Sequence, residues 1–103
     1  MGARIEIPAN QLQVFCQRWA IRELALFGSV LRDDFRPDSD VDVLVTFDEG
    51  AKRSLLDRVR MVRELEELLG RNVDLVQERL LDNPYRRQEI LRTKETVYAA
   101  EPS

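Results

Sequence analysis

The apolar residues near the start of the chain recur every three or four positions. Within residues 8–20 they fall at i, i+3, i+4 and i+7, which is one face of a helix: Leu12, Phe15, Cys16 and Trp19. Pro8 suits the first turn of such a helix, where the N–H that proline lacks would have no partner. The pattern predicts an amphipathic helix that buries these side chains, Cys16 and Trp19 included, in a core.

Two later segments carry the same periodicity. Residues 54–69 place apolar side chains at helical spacing, and Gly70 follows as a favoured helix stop. The apolar positions are 55, 56, 59, 62, 65, 68 and 69. Asn83 and Pro84 are typical of an N-cap and a first helical residue, and the helix that they begin is predicted to run to about Lys94. The tail "AAEPS", residues 99–103, is predicted to be frayed.

Three short segments are typical of β-strands. Residues 23–27 form an apolar run that suits a buried strand, and Gly28 ends it before a short helix predicted over residues 29–34. Residues 40–47 and 72–76 alternate between apolar and polar side chains. Because successive side chains of a strand point to opposite faces, each of these two strands places aliphatic residues on one face and aspartates on the other.

The order of these elements, α-β-α-β-α-β-α, predicts an α/β fold: a small mixed β-sheet packed with about four helices. The length of 103 residues suits one domain, predicted to span residues 1–103. Net charge is −3, which gives no general drive toward nucleic acid or an anionic membrane. No apolar run reaches the length of a membrane span, and the N-terminus lacks a signal-peptide core, so we expect a cytoplasmic chain.

The residue types that are missing narrow the chemistry. The sequence contains no histidine and a single cysteine, Cys16. Histidine-based nucleophilic catalysis, histidine metal sites, cysteine-rich zinc sites and an intramolecular disulfide are therefore excluded within this chain. Carboxylates, hydroxyls, basic side chains and backbone amides remain, and that inventory suits magnesium chemistry.

Asp40 and Asp42 open one of the predicted strands. Two residues apart, they emerge on one face with Cα atoms about 6.5–7 Å apart. Two ionised carboxylates that close are costly in a partly buried site unless a cation neutralises them, and hard oxygen ligands select Mg²⁺ or Mn²⁺. Asp74 lies on the polar face of another predicted strand. If the two strands are neighbours, Asp74 completes a cluster of three carboxylates.

Gly28 and Ser29 lie where a strand turns into a helix. Glycine lets the backbone approach a ligand closely, and the free N–H groups at a helix start attract phosphate. The Ser29 hydroxyl adds a donor. Together with the carboxylate pair, this turn predicts a nucleotide site in which a metal ion bridges phosphate oxygens.

A glycine–serine pair, ten residues and then Asp-Val-Asp resembles the GSx10DxD signature of the DNA polymerase β-type nucleotidyltransferase superfamily. The tighter pattern FGSxxRxxxxxxSDxDxLV resembles its minimal nucleotidyltransferase (MNT) group. Nine residues carry that pattern: Phe27, Gly28, Ser29, Arg32, Ser39, Asp40, Asp42, Leu44 and Val45. Asp74, in the later "VDLV", matches the place of the family's third carboxylate. The resemblance runs from the first predicted helix to the last and implies a polymerase β-like nucleotidyltransferase core.

The resemblance also implies a role for each matched residue. Gly28 and Ser29 would contact the phosphates of ATP, with Arg32 and Ser39 beside them, while Asp40 and Asp42 would bind two Mg²⁺ ions. Asp74 would join the metal site and activate the acceptor. Members of this group are commonly paired with a HEPN-domain toxin, to which the antitoxin transfers AMP from ATP at a tyrosine. A hetero-oligomer with such a toxin is therefore expected.

Several residues have a simpler interpretation. Arg32 could equally form ion pairs with neighbouring surface carboxylates. Ser39 could equally cap the turn before the strand. Asp74 could simply be exposed to solvent on an edge strand. The basic residues of the last helix are typical of a solvated face, with contact to a triphosphate or a partner as the alternative: Arg86, Arg87, Arg92 and Lys94. Arg58, Arg60 and Arg63 alternate with glutamates and also suit a solvated face.

Two other functions compete with protein modification. One is a non-catalytic antitoxin or binding module that neutralises its partner by forming a complex. The other is nucleotidyl transfer to a small molecule or to nucleic acid, for which the chain has little room and an unfavourable charge. A partner protein would supply one wall of the site and needs an exposed apolar patch, for which Val14, Leu31 and Tyr85 are candidates.

Overall fold

A computed structural model describes residues 7–31, 36, 39–48 and 54–100. Its regular elements, in chain order, are α1 (Ala9–Arg18), β1 (Ile21–Phe27), β2 (Val41–Phe47), α2 (Leu55–Leu69), β3 (Val73–Gln77), α3 (Pro84–Thr93) and β4 (Glu95–Ala99). Two short 3-10 segments, Gly28–Leu31 and Glu78–Leu80, follow β1 and β3. The strands form one sheet in the order β3-β2-β1-β4.

The sheet is mixed, as the sequence predicts. Strands β1 and β2 are antiparallel, as are β1 and β4, whereas β2 and β3 run parallel. A parallel pair needs a crossover connection, and α2 supplies it. As a result, β2 and β3 begin at the same end of the sheet, and Asp42 and Asp74 are each the second residue of their strand.

Helices cover both faces of the sheet. On one face, side chains of α1 and α2 pack against β1 and β2 in the larger core cluster, which includes Phe15, Cys16, Val43 and Leu65. On the other face, Ile90 of α3 packs in a smaller cluster with three strand residues: Ala25, Phe27 and Leu44. Since Asp42 alternates with Val43 and shares the parity of Leu44, it lies on the α3 face. The candidate site therefore belongs to the less densely covered side of the sheet.

Capping residues fix the ends of α2 and the start of α3, and two of them, Gly70 and Asn83, were predicted. Ser54 and Asp57 form a capping box at the start of α2: each side chain accepts a hydrogen bond from the other residue's backbone N–H, at 3.1 and 3.2 Å. Gly70 ends α2 in the left-handed region, with φ of +67°. Asn83 caps α3 by accepting hydrogen bonds from the backbone N–H groups of Tyr85 and Arg86. Both helix starts are thus fixed by local chemistry.

Three expectations differ from the structure. The described residues contain three α-helices rather than four, because the chain after Gly28 forms a 3-10 segment; residues 32–34 of the predicted short helix lie outside the described ranges. Strand β4, which pairs with β1, was not predicted; it includes residue 99 of the tail that was expected to be frayed, and residues 101–103 of that tail lie outside the described ranges. The first turns of α2 are exposed, with Leu55 83% and Leu56 59% accessible, although their spacing predicted a buried stripe.

The core assignments are confirmed for Cys16 and in part for Trp19. Cys16 is fully buried, and burial raises the pKa of its thiol to about 12, so the thiol stays protonated and unreactive at neutral pH. Trp19 is half-buried: it packs against the larger core cluster and donates from its indole N–H to Glu64 at 3.2 Å. No helix in the described part of the chain combines the length and the apolar character needed to cross a bilayer.

An ion pair joins β1 to the residue directly before β4, and it predicts that the stability of the protein depends on pH. Lys94 Nζ donates to Glu23 Oε2 at 2.6 Å, and the Thr96 hydroxyl donates to the same oxygen at 2.8 Å. The hydrogen bond from Lys94 is the main cause that lowers the pKa of Glu23. We expect Glu23→Gln to lower the free energy of unfolding by about 1 kcal/mol at pH 7, since both groups are partly exposed.

The sign of the effect follows from the lowered pKa. Above the unfolded-state value of about 4.3 the pair contributes its full stability, and that contribution disappears as pH falls through the lower folded-state pKa. Urea unfolding of wild type and Glu23→Gln should therefore differ at pH 7 and differ less at pH 3. Glu89→Gln is the control, because its pair with Arg92 is more than 60% exposed on both sides and should contribute almost nothing. Equal differences at both pH values would disprove the assignment.

Candidate functional site

The site begins where β1 ends. Gly28 has a φ of +77°, in the left-handed region that side-chain-bearing residues rarely adopt. A Cβ at this position would collide with the Oδ2 atom of Asp42. The side chain of Val30, two residues later, is fully buried and anchors the 3-10 segment that follows. Glycine is thus required both for the turn and for the close approach of the backbone to a carboxylate.

Strand register places Asp42 in the centre of the site. On one side it pairs with Phe27, the last residue of β1, and on the other side with Asp74 of β3. Neighbouring strands lie about 4.8 Å apart, and directly paired residues point to the same face. Asp42 is half-buried and Asp74 is exposed. Gly28, Asp42 and Asp74 therefore lie in a row at one end of the sheet, where β1 ends and where β2 and β3 begin.

The other predicted site residues are less closely placed. Asp40 is exposed, one residue before β2, and within the described ranges no three acidic side chains converge closely enough to hold a metal ion. Ser39 takes part in a turn: its hydroxyl accepts from the backbone N–H of Arg36 at 3.2 Å, and its own N–H donates to the Arg36 carbonyl at 3.0 Å. The backbone of Ser29 belongs to the 3-10 segment, and Arg32 lies outside the described residues.

Two open cavities flank this row of residues. The first, of about 440 Å³, lies between the Gly28 turn and α3, and its walls include Phe27, Leu31, Glu89 and Ile90. The second, of about 570 Å³, lies over β3 and is bordered by Asp74 and by residues of α2 and of the Glu78–Leu80 segment. Arg86 of α3 borders both cavities. One arrangement thus offers a space beside the glycine turn and a separate space beside the third carboxylate.

The second cavity contains residues that the sequence analysis did not assign to a site. Leu55 and Leu80 border it and are 83% and 60% exposed. Arg58, expected on a solvated face, instead donates from its guanidinium to the backbone carbonyl of Leu75 in β3. Helical spacing contains the missing signal, because position 58 lies three residues before Met61 and seven before Leu65, the two buried residues of α2.

The proposed partner patch is not continuous. Val14 and Tyr85 are exposed, at 62% and 83%. They belong to α1 and α3, which cover opposite faces of the sheet, and Leu31 lines the first cavity. These three residues therefore cannot form one surface, and the exposed leucines beside Asp74 are the better candidates.

With this geometry in view, known proteins supply the comparison. Residues 9–97 match the sequence profile described as "Nucleotidyltransferase domain". The chain belongs to this family. The nucleotidyltransferase core that the motif implied is thereby confirmed, and the match spans every helix and nearly all of the sheet described above.

Individual relatives agree with the family assignment. A Methanocaldococcus jannaschii chain named as a protein adenylyltransferase, MJ1379, is 32% identical over 85 residues, which are 82% of this nucleotidyltransferase and 85% of the relative. The solved structure of a minimal nucleotidyltransferase is 43% identical, with a TM-score of 0.66 and 85% of each chain covered. The fold also matches a solved complex of a tri-AMPylated Shewanella oneidensis HEPN toxin with its MNT antitoxin, at a TM-score of 0.62 and 19% identity, over 89% of this chain and 70% of the other.

Proposed function

We propose that this nucleotidyltransferase is a Mg²⁺-dependent protein adenylyltransferase that transfers AMP from ATP to a tyrosine hydroxyl of a HEPN-type toxin and so acts as its antitoxin. The observation that carries the proposal is the row of Gly28, Asp42 and Asp74, with one cavity on each side. The similarity to protein adenylyltransferases and to an MNT antitoxin bound to an AMPylated toxin supports it.

The donor set fits magnesium. Asp42 and Asp74 face the same way from paired positions on neighbouring strands, and both offer only hard carboxylate oxygens. These two residues and Asp40 would hold the metal ions. When bound, the ions neutralise phosphate charge and polarise the α-phosphate.

The chain's own residues supply binding and proton transfer. Gly28 and Ser29 would hold the triphosphate with their backbone N–H groups, and the glycine allows the phosphate to approach the Asp42 side of the turn. Arg32 and Ser39 would assist phosphate binding. Asp74 would accept the proton of the acceptor hydroxyl as its oxygen bonds to the α-phosphorus, while the bond to the β-phosphate oxygen breaks and pyrophosphate leaves.

The position of Asp74 indicates what kind of acceptor the site takes. Asp74 is on β3, an edge strand, and opens into the broad cavity bordered by exposed leucines rather than into a closed pocket. Exposed large apolar side chains next to a site are typical of a surface that a protein covers. A tyrosine carried on a partner protein would reach Asp74 from this side.

The direct test is transfer of label from α-³²P-ATP with Mg²⁺ to the co-expressed HEPN partner. We expect label on one protein band, at a mapped tyrosine, and no label when EDTA removes the divalent ions. Label on RNA or on a small molecule would instead support the competing acceptors. A stable complex that transfers none of the four nucleotides would show a binding module with an idle site.

A further inference from the structure

The basic residues of α3 and of its C-cap, Lys94, differ in whether their charges are already paired. Arg87 pairs with Glu78 at 2.7 Å, and Lys94 pairs with Glu23 at 2.6 Å. Arg92 pairs with Glu89 at 2.7 Å. Arg86 is exposed, and its guanidinium has no ion pair or hydrogen bond among the described residues, whereas its backbone N–H donates to the Asn83 side chain. One cation of the cluster is thus available to a ligand.

Arg86 also occupies a particular position. It is the residue shared by the two cavities, one bounded by Gly28 and the other by Asp74. In an in-line transfer, the acceptor oxygen and the leaving pyrophosphate lie on opposite sides of the transferred phosphorus. If Asp74 faces the acceptor and the Gly28 turn faces the leaving phosphates, the transferred group lies between them. That is the junction that Arg86 borders.

The charges around this junction leave Arg86 as the cation that can offset the repulsion between an anionic ligand and the nearby carboxylates. Asp42 and Asp74 contribute negative charge, and Glu89 adds a carboxylate to the wall of the first cavity. Arg58, which borders the second cavity, already donates to the Leu75 carbonyl. Among the described residues of the first cavity wall, Arg86 is the one cationic side chain. A guanidinium suits the task, because its planar donors match two phosphate oxygens at once.

We propose that Arg86 binds one non-bridging oxygen of the α-phosphate of ATP and stabilises the charge that develops there during transfer. This inference rests on the proposed nucleotidyl transfer and adds a binding residue from α3, outside the glycine–aspartate motif. The expected role is electrostatic stabilisation of the transition state, so the effect should be larger on kcat than on KM.

The test compares Arg86→Ala, Arg86→Lys and Arg92→Ala. The last is a matched control, an exposed arginine two turns along the same helix whose partner is Glu89. We expect Arg86→Ala to lower kcat/KM for ATP about 30-fold. Arg86→Lys should recover part of that loss, because lysine keeps the positive charge but not the planar, bidentate donor geometry of the guanidinium. Arg92→Ala should resemble wild type. Partner binding, measured by size-exclusion chromatography of the complex, should be unchanged in all three.

A second readout separates contact with the α-phosphate from a structural role. The two diastereomers of ATPαS carry sulfur on one or the other non-bridging position, and wild type should discriminate between them. Arg86→Ala should narrow that discrimination, because the side chain that distinguishes the two oxygens is gone. An activity loss with unchanged discrimination, or a loss equal to that of Arg92→Ala, would overturn the assignment.

The role of Arg86 can be tested even if the proposed AMP transfer is not observed. If wild type transfers no AMP, the proposed function fails, and the inference is then judged by ATP affinity of the isolated chain with Mg²⁺, measured with a fluorescent ATP analogue. Arg86→Ala should weaken that affinity several-fold relative to Arg92→Ala. Equal affinities would reject a phosphate contact.

Discussion

Replacing Asp42 by asparagine is expected to reduce AMP transfer at least about 1,000-fold without dissociating the complex with the partner. Asp42 lies between Phe27 and Asp74 in the sheet and directly beneath the Gly28 turn, so its carboxylate would be shared by the metal ions and the phosphate region. Metal-ion stabilisation of a phosphoryl transition state is worth several kcal/mol, and each ~1.4 kcal/mol is a factor of ten in rate. Asparagine keeps the shape but loses the charge.

Asp48→Asn is the matched control for this prediction. Asp48 follows the opposite end of the same strand, where it is exposed and lies 3.8 Å from Arg22. Initial rates of label transfer, with circular dichroism and partner co-purification on the same samples, check the result. Transfer within tenfold of wild type in Asp42→Asn would mean that the metal ions are held elsewhere. Loss of the complex together with activity would assign Asp42 to docking instead.

The second large effect is expected for Gly28→Ala. Alanine at a φ of +77° costs about 1 kcal/mol in backbone energy, and its Cβ would collide with Oδ2 of Asp42. The Asp42 side chain can rotate away, so the protein should fold, but the carboxylate then leaves the position that it holds in the site. We expect about 1–2 kcal/mol of lost stability and a loss of transfer of more than about 100-fold.

Gly70 provides an unusually close control. It also has a positive φ, +67°, but a Cβ there would meet nothing within 4 Å. Gly70→Ala should therefore cost a similar amount of stability, measured by thermal unfolding, while label transfer stays at the wild-type rate. If the two alanine variants lose equal activity, backbone strain alone explains the effect, and the contact between Gly28 and Asp42 is irrelevant to transfer.

The sequence predicted the elements whose signals are local. The end of α2 at Gly70 and the start of α3 at Asn83 were indicated by cap residues, and the start of α2 was indicated by the onset of its apolar periodicity. Strand β4 was not, because only its hydrogen bonds to β1 define it and its side chains are mostly half-exposed, with little alternation. The exposure of Leu55 and Leu56 was missed for the opposite reason, since periodicity identifies an apolar face but not what covers it.

The site was predictable as a set of residue types more than as an arrangement. The motif named Gly28, Asp42 and Asp74, but the register that pairs Asp42 with Asp74 depends on β3 lying next to β2 in a parallel orientation, which no short-range pattern specifies. Arg86 was indistinguishable from its basic neighbours in sequence. Only the folded structure shows which of their charges are already paired, because those partners are distant in sequence or depend on side-chain placement.

The pairing of β4 with β1 has a consequence for how the protein is made. Until residues 95–99 have emerged from the ribosome, one edge of β1 lacks its neighbouring strand. The end of α3, the helix that contains Arg86, is also not yet held to β1 by the ion pair between Lys94 and Glu23. An unpaired strand edge in a nascent chain is exposed to wrong associations. We therefore expect nucleotide binding to appear late in synthesis, only after almost all of the described chain is free to fold.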